Sequence, residues 1–267
     1  MISINNVSFR YSDKLVLDNI SAETPSGQFV CLLGQSGCGK STLLRLLAGL
    51  SAANTGTIHI DGKPVSGPEK KCSVVFQDYS LFPWMTTGEN LMLALRNSYP
   101  EKKRKDVRFI AEEYLEVVGL CGCFNKFPGA LSGGMRQRAA IARSLSVGSS
   151  ILLLDEPFGA IDPLNRTLLQ DLLLNLWRNA GEKRTVFFVT HDIDEAVFLS
   201  QRIIVLGSTP GRIIADWEVP KKEEGAGRGI FDLPEFKEFQ SQLLTLYRED
   251  ILRRLESGSI QQNGSGI

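Results

Sequence analysis

One stretch constrains this chain more than any other: Gly34-Gln-Ser-Gly-Cys-Gly-Lys40-Ser41-Thr42, set between two segments of different period. Before it, Phe29-Val-Cys-Leu-Leu33 is a short unbroken apolar run, the mark of a strand buried on both faces. After it, Leu43, Leu44, Leu46, Leu47 and Leu50 follow helical spacing. A strand that feeds a helix through such a loop is the context the P-loop pattern requires. Glycines let successive backbone N–H groups turn inward, making a nest for phosphate oxygens at a helix N-terminus. Lys40 adds a point charge for the β- and γ-phosphates, and the Ser41 hydroxyl is placed to ligate Mg²⁺. Residues Gly34, Gln35, Ser36, Gly37, Cys38, Gly39, Lys40, Ser41 and Thr42 are therefore expected to bind nucleotide phosphates. The loop alone does not separate a kinase from a GTPase or an ATPase.

Two further segments add chemistry. Ile151-Leu-Leu-Leu-Asp155-Glu156-Pro157 ends another apolar strand on two adjacent acids. Neighbours on a strand point to opposite faces, so the two carboxylates need not share a task. Asp155 suits an outer-sphere partner for Mg²⁺, and Glu156 a general base worth about 10²–10⁴ in rate. Leu131-Ser132-Gly133-Gly134-Met-Arg-Gln137 opens another helix, whose free N–H groups suit a second anion. One cradle already serves the chain's own nucleotide, so a second suggests a site completed by another subunit. Ser-Gly-Gly serves equally well as a simple helix N-cap.

Composition narrows the class. Thirty Lys and Arg balance thirty Asp and Glu among 267 residues, which gives no case for a nucleic-acid partner. No apolar run approaches the ~18–20 residues that cross a bilayer, and Met1-Ile-Ser-Ile-Asn-Asn lacks the features of a signal peptide. Five cysteines, an odd number without scaffold spacing, point to a reducing cytosol. Cys38 reads as a small spacer rather than a redox sensor, and His59 as a surface histidine on a strand.

Strand patterns fall at Ser3–Arg10, Gly27–Leu33, Thr57–Ile60, 151–154, 185–189 and 203–206. Residues 90 to 147 read as mostly helical. Val107, Ile110, Ala111, Tyr114 and Val118 form one stripe, behind the solvated charge run 101–106 and closed by Gly119. A further helix is expected at Pro163–Ala180. Lys221–Gly229 has the composition of a flexible linker, Pro234–Glu256 is amphipathic, and Ser257–Ile267 is expected to be disordered.

Taken together in this order, the motifs resemble those of the ATP-binding cassette (ABC) ATPases over roughly residues 1–210. The resemblance makes Leu131–Gln137 the signature sequence, Asp155 and Glu156 the Walker B acid and catalytic base, and Gln77 the Q-loop residue. It makes Gly159–Asp162 the D-loop, His191 the switch histidine, and Tyr11 the aromatic that stacks on adenine. Gly159 and Ile161 are slight departures from the family pattern. The implied fold is α/β: a P-loop core with a mainly parallel sheet, an antiparallel β subdomain and an α-helical subdomain. The implied assembly is a head-to-tail homodimer with two ATP molecules between the copies. There the loop carrying Lys40 faces Ser132, Gly133 and Gly134 of the other copy, and Asp162 crosses the seam. Gln77 touches Mg²⁺ and the lytic water, and His191 touches the γ-phosphate. Mg²⁺ accompanies ATP, with Ser41, Gln77 and Asp155 as its protein contacts.

Within the family, Phe76–Trp84 and Thr209-Pro-Gly-Arg-Ile213 resemble the nitrate, sulfonate, taurine and bicarbonate import group. That implies a peripheral subunit at the cytoplasmic face of the inner membrane, bound to integral-membrane permease subunits and acting indirectly with a solute-binding protein. No nucleic-acid partner is expected. A soluble ABC ATPase working on nucleic acid or ribosomes, and a cassette of a split exporter, are the alternatives. Phe82 and Trp84 either pack the helical subdomain or floor a groove for a permease helix. The expected organisation is a cassette at 1–220 with its helical subdomain at about 78–147, a linker and helical extension at 221–256, and a tail at 257–267.

Overall fold

The computed structural model describes residues 1–159, 161–178, 184–208, 210–223 and 227–263. In chain order the strands begin with β1 (Ile2–Tyr11), β2 (Lys14–Thr24), β3 (Phe29–Gly34), β4 (Thr55–Ile60) and β5 (Lys63–Pro64). They continue with β6 (Cys72–Val75), β7 (Ile151–Asp155), β8 (Thr185–Thr190), β9 (Arg202–Leu206) and β10 (Ile213–Glu218). The helices are α1 (Lys40–Leu47), α2 (Thr87–Ser98), α3 (Arg104–Val117), α4 (Gly133–Ser146), α5 (Pro163–Arg178), α6 (Ile193–Leu199) and α7 (Pro234–Asn263). The chain divides into two units, Met1–Ser66 with Phe188–Ile267, and Gly67–Phe187.

In the first unit, β2, β1, β4 and β5 form an antiparallel sheet in that order. Alternation along β1 buries Ile2, Ile4, Val7 and Phe9, with a register shift between Ile4 and Val7 where Asn6 takes a positive φ. The other strands of this unit are arranged differently. β3 is buried at every position and pairs in parallel with β9, as its unbroken apolar run predicts. β10 closes on β9 in antiparallel register. The long helix α7 docks here through Phe236, Phe239 and Leu243, with the Phe239 ring 6.1 Å from that of Trp217.

Two expectations for the C-terminal region change. The stretch taken for a loose linker is fastened where it is described. Lys222 Nζ donates to the carbonyls of Phe198 and Ser200, at 2.8 and 2.5 Å, and the Arg228 guanidinium lies 4.4 Å from the Phe198 ring centroid. Cations satisfy the unpaired carbonyls at a helix end, here that of α6, which polarity alone does not reveal. Residues 224–226 of that stretch lie outside the described residues. Of the tail expected to be disordered, residues 257–263 continue α7. No proline follows Pro234 to stop the helix, and a lone Gly258 costs about 1 kcal/mol. Residues 264–267 lie outside the described residues.

In the second unit, β6 and β7 pair in parallel, Cys72 opposite Ile151 and Val75 opposite Leu154. Helices α2, α3 and α4 share a core that includes Leu91, Leu95, Val107, Ala111, Leu115 and Ala139. The predicted stripe sits there: Val107, Ala111 and Val118 are buried, and Ile110 and Tyr114 pack against them. Gly119 closes α3 in the left-handed region, φ 68°, and the charge run 101–106, whose second half forms the first turn of the helix, is exposed. A capping box starts α2, in which Thr86 Oγ1 accepts from Glu89 N–H and the Glu89 carboxylate accepts from Thr86 N–H. The Thr86 N–H holds the Glu89 carboxyl below its ordinary value. Substituting Leu95→Ala, at a fully buried position, should destabilise this unit by about 2–5 kcal/mol in denaturant titrations.

Candidate functional site

In the first unit, β3 ends at Gly34 and α1 starts at Lys40, so the loop between them hangs from the end of a buried strand. Two glycines here are steric necessities. A Cβ on Gly34 would lie 2.6 Å from the Leu206 carbonyl oxygen, and Gly39, at φ 99°, would press a Cβ to 2.6 Å from Leu17 Cδ2. Lys40 is buried, and its Nζ donates to the Gly34 and Gln35 carbonyls at 2.7 and 2.8 Å. The ammonium is thereby fixed over its own loop. Ser36, Gly37 and Ser41 are exposed, while Thr42 is buried. Burial pushes the Cys38 thiol up against the opposing pull of Lys40, which keeps it protonated and suits a spacer.

The Tyr11 ring at the end of β1 is 48% exposed and braced edge-on by Phe9, centroids 4.8 Å apart. His191 is exposed between the end of β8 and the cap of α6. Its flanks are tightly held. Thr190 Oγ1 donates to the buried Glu195 carboxylate at 2.7 Å and accepts the Asp192 N–H at 3.0 Å, and Asp192 Oδ1 caps the N–H groups of Asp194 and Glu195.

In the second unit, Asp155 ends β7 and is 8% exposed. Glu156 follows at φ 44°, a left-handed conformation that costs a side-chain-bearing residue about 1–3 kcal/mol. The chain reverses there, so adjacent acids in sequence serve different directions. Asp162 sits just before Pro163 and accepts from Asn165 N–H and Nδ2 at 3.1 and 2.7 Å, which lowers its carboxyl from the ordinary range. Ser132 caps α4, its Oγ accepting from Met135 N–H at 3.3 Å, with Gly133 and Gly134 in the first turn. The N-cap role is therefore real, and it leaves the first-turn N–H groups of two glycines pointing from the helix end.

Gln77 is exposed just beyond β6. The backbone then makes two consecutive left-handed residues, Tyr79 at φ 65° and Ser80 at φ 44°. Arg143 of α4 clamps this bend, donating Nη1 to Ser80 O at 2.5 Å and Nη2 to Tyr79 O at 3.4 Å. Burial lowers the Arg143 pKa, and the charge of Asp78 opposes that shift without cancelling it. Asn90 holds the next turn with both ends of its amide: Oδ1 accepts Phe82 N–H at 2.7 Å, and Nδ2 donates to the carbonyls of Phe82, Met85 and Thr86. Phe82 and Trp84 stand outside this frame as a ring pair 5.3 Å apart, 39% and 70% exposed. Their packing into the helical core is ruled out; Leu81 takes that place. Sequence reasoning overlooked Asn90 and Arg143.

A glycine loop between a buried strand and a helix, together with a strand ending on paired acids, defines an α/β P-loop nucleotide-binding fold. Residues 17–159 match the family described as ABC transporter. The chain belongs to that family and is an ATP-hydrolysing, ATP-binding subunit of its importer group. It is 39% identical to the nitrate import ATP-binding protein NrtD of Synechococcus elongatus, over 88% of this chain and 85% of that one. It is 46% identical to the aliphatic sulfonates import ATP-binding protein SsuB of Bacillus cereus, over 79% and 83%. A putative ATP-binding protein of Brucella abortus is 47% identical over 79% and 80%. Among solved structures, the dimeric post-hydrolysis state of the cassette MJ0796 bound to ADP and Pi superposes with a TM-score of 0.74 at 30% identity. It covers 83% of this chain and all of that one. Among the described residues no helix is long and apolar enough to cross a membrane.

Replacing Arg143 by Ala should leave the Tyr79–Ser80 bend unclamped and lower stability by about 1–3 kcal/mol in denaturant titrations. Trp84 fluorescence should at the same time report a more mobile ring.

Proposed function

We propose that this chain is the motor subunit of an importer for a small anion such as nitrate, a sulfonate, taurine or bicarbonate. The relatives named for nitrate and sulfonate import support that cargo class. Two copies close head to tail on two ATP molecules, as the dimeric MJ0796 structures support. Gly34–Thr42 of one copy holds the phosphates, Tyr11 stacks on the adenine, and Ser132, Gly133 and Gly134 of the other copy supply N–H groups to the γ-phosphate. Asp162 lies at the seam.

The oxygen donors Ser41, Gln77 and Asp155 suit Mg²⁺, a hard cation that takes one or two carboxylates and completes its shell with phosphates and water. When bound, the ion neutralises charge on the phosphates. Glu156 accepts a proton from the attacking water as its oxygen bonds the γ-phosphorus and the bond to ADP breaks, releasing phosphate. Gln77 orients that water and His191 steadies the γ-phosphate.

The observation that carries the transport reading is the exposed Phe82–Trp84 pair on a clamped bend five to seven residues after Gln77. A rigid aromatic ledge linked by a short backbone to a nucleotide-contacting residue suits a permease helix whose movement follows the γ-phosphate. The subunit then sits at the cytoplasmic face of the inner membrane, bound to its permease and working with a solute-binding protein through it.

Glu156→Gln should keep ATP binding, slow turnover at least ~100-fold, and accumulate an ATP-bound dimer on size-exclusion chromatography. Normal turnover would remove the base assignment. Trp84→Ala should weaken co-purification with the permease while basal ATPase stays within about twofold. Full association with impaired basal activity would sink the docking role.

A further inference from the structure

Helix α7 has no part in the chemistry described so far, yet it is hydrogen-bonded to the segment that follows β9. Phe236, Phe239 and Leu243 bury one face of it, and Gln240 Nε2 donates to Asp194 Oδ1 at 2.7 Å, which fixes the helix in register against α6. Ten residues further on, Asp250 Oδ1 accepts both the N–H and the Oγ–H of Ser208, each at 3.1 Å. A Cβ on Gly207 would lie 3.1 Å from the same Asp250 oxygen.

Ser208 belongs to the segment that walls the phosphate loop from behind. The segment leaves β9 at Leu206, whose carbonyl oxygen would lie 2.6 Å from a Cβ on Gly34. It is tied at Gly207, whose N–H donates to Arg212 O at 2.9 Å. At Gly211, the N–H donates to Val16 O at 2.8 Å and the carbonyl accepts from Asp18 N–H at 3.0 Å. Gly211 stands so close to the loop that a Cβ there would be 2.1 Å from the Cys38 carbonyl oxygen. The segment therefore meets the loop at Cys38 through Gly211, while Gly34 is held by Leu206, its partner in the β3–β9 ladder.

We propose that Asp250 is a positioning residue for the phosphate loop: α7 holds Ser208 in the connection that follows β9, and Gly211 of that connection backs the loop at Cys38, holding it in its phosphate-binding shape. The Asp250 carboxylate also adds, after burial, to the upward shift of the Cys38 thiol, which places its charge near the loop. A C-terminal helix thus acts on nucleotide affinity without touching nucleotide. The proposal rests on the reading of residues 34–42 as the phosphate site, but its structural half does not need ATP.

The experiment uses the full chain with Asp250→Ala and Asp250→Asn. The Asn side chain keeps an oxygen that accepts from Ser208, whereas Ala keeps none. Site-resolved maleimide labelling read by peptide mass spectrometry reports the loop at Cys38, with the fully buried Cys31 of β3 as the internal control. Asp250→Ala should raise the Cys38 labelling rate about 3–10-fold, leave Cys31 unchanged, and weaken MgATP binding about 3–10-fold by calorimetry. Its melting temperature should fall by no more than about 4 °C, and Asp250→Asn should restore both readouts. An unchanged Cys38 rate overturns the proposal. So does a parallel rise at Cys31, because the helix would then only prop up the fold. Failure of the unsubstituted protein to bind MgATP would instead remove the nucleotide reading and leave the labelling test of Asp250 intact.

Discussion

Burial of β3 on both faces is the constraint on which the rest depends. A strand with no exposed position cannot end by fading into solvent; its polar backbone must be satisfied where the sheet stops. Here that end is Gly34, and Lys40 occupies the Gly34 and Gln35 carbonyls as the loop begins. The packing requirement of the strand and the binding requirement of the loop are met by the same glycines. Leu206 and Leu17 leave no room for side chains at positions 34 and 39, where a phosphate nest also needs none.

Some of the strain lies where chemistry is proposed. Tyr79 and Ser80, two and three residues after Gln77, and Glu156, next to Asp155, bear side chains yet lie at positive φ. Asn6, Ser12, Asn19 and Asp61 do so in or beside the strands of the antiparallel sheet. Such conformations persist only where surrounding bonds over-determine them. Arg143 and Asn90 supply those bonds for the bend after Gln77, both from helices whose apolar faces are locked in the core of the second unit. The helical core is thus a mount for a bend, and the bend presents two aromatic rings. The turn that carries His191 is tied in a similar way, with Thr190, Asp192 and Glu195 bonded on either side of it.

Much of this was legible in the order of residues because the signals are local. An unbroken apolar run, a glycine loop and a leucine stripe at helical spacing lie within a few turns of one another; β3 forms at Phe29–Gly34, and α1 stops at Leu47, short of the exposed Leu50. The stripe from Val107 to Val118 was equally readable, including its glycine stop. Phe82 and Trp84 were ambiguous for a physical reason. An aromatic residue in a loop fits a core or a docking ledge equally well, and only the Asn90 and Arg143 bonds decide which way the backbone aims it. The linker and tail failed differently. Polar composition argues against a packed core, but it does not register a lysine that finds helix-end carbonyls or a helix that meets no stop.

By itself, the sequence determined the residues from which the proposed chemistry is built: a glycine loop ending on Lys40, two adjacent acids at a strand end and a serine-capped helix start, each written in contiguous residues. Only the tertiary structure decided how those pieces are held. Asp250 meets Ser208 across 42 positions, Arg143 meets Ser80 across 63, and no local pattern encodes either meeting. Contacts at that separation exist only after the sheets and helices have packed, because packing supplies the ordering that a single hydrogen bond is too weak to impose on a flexible chain.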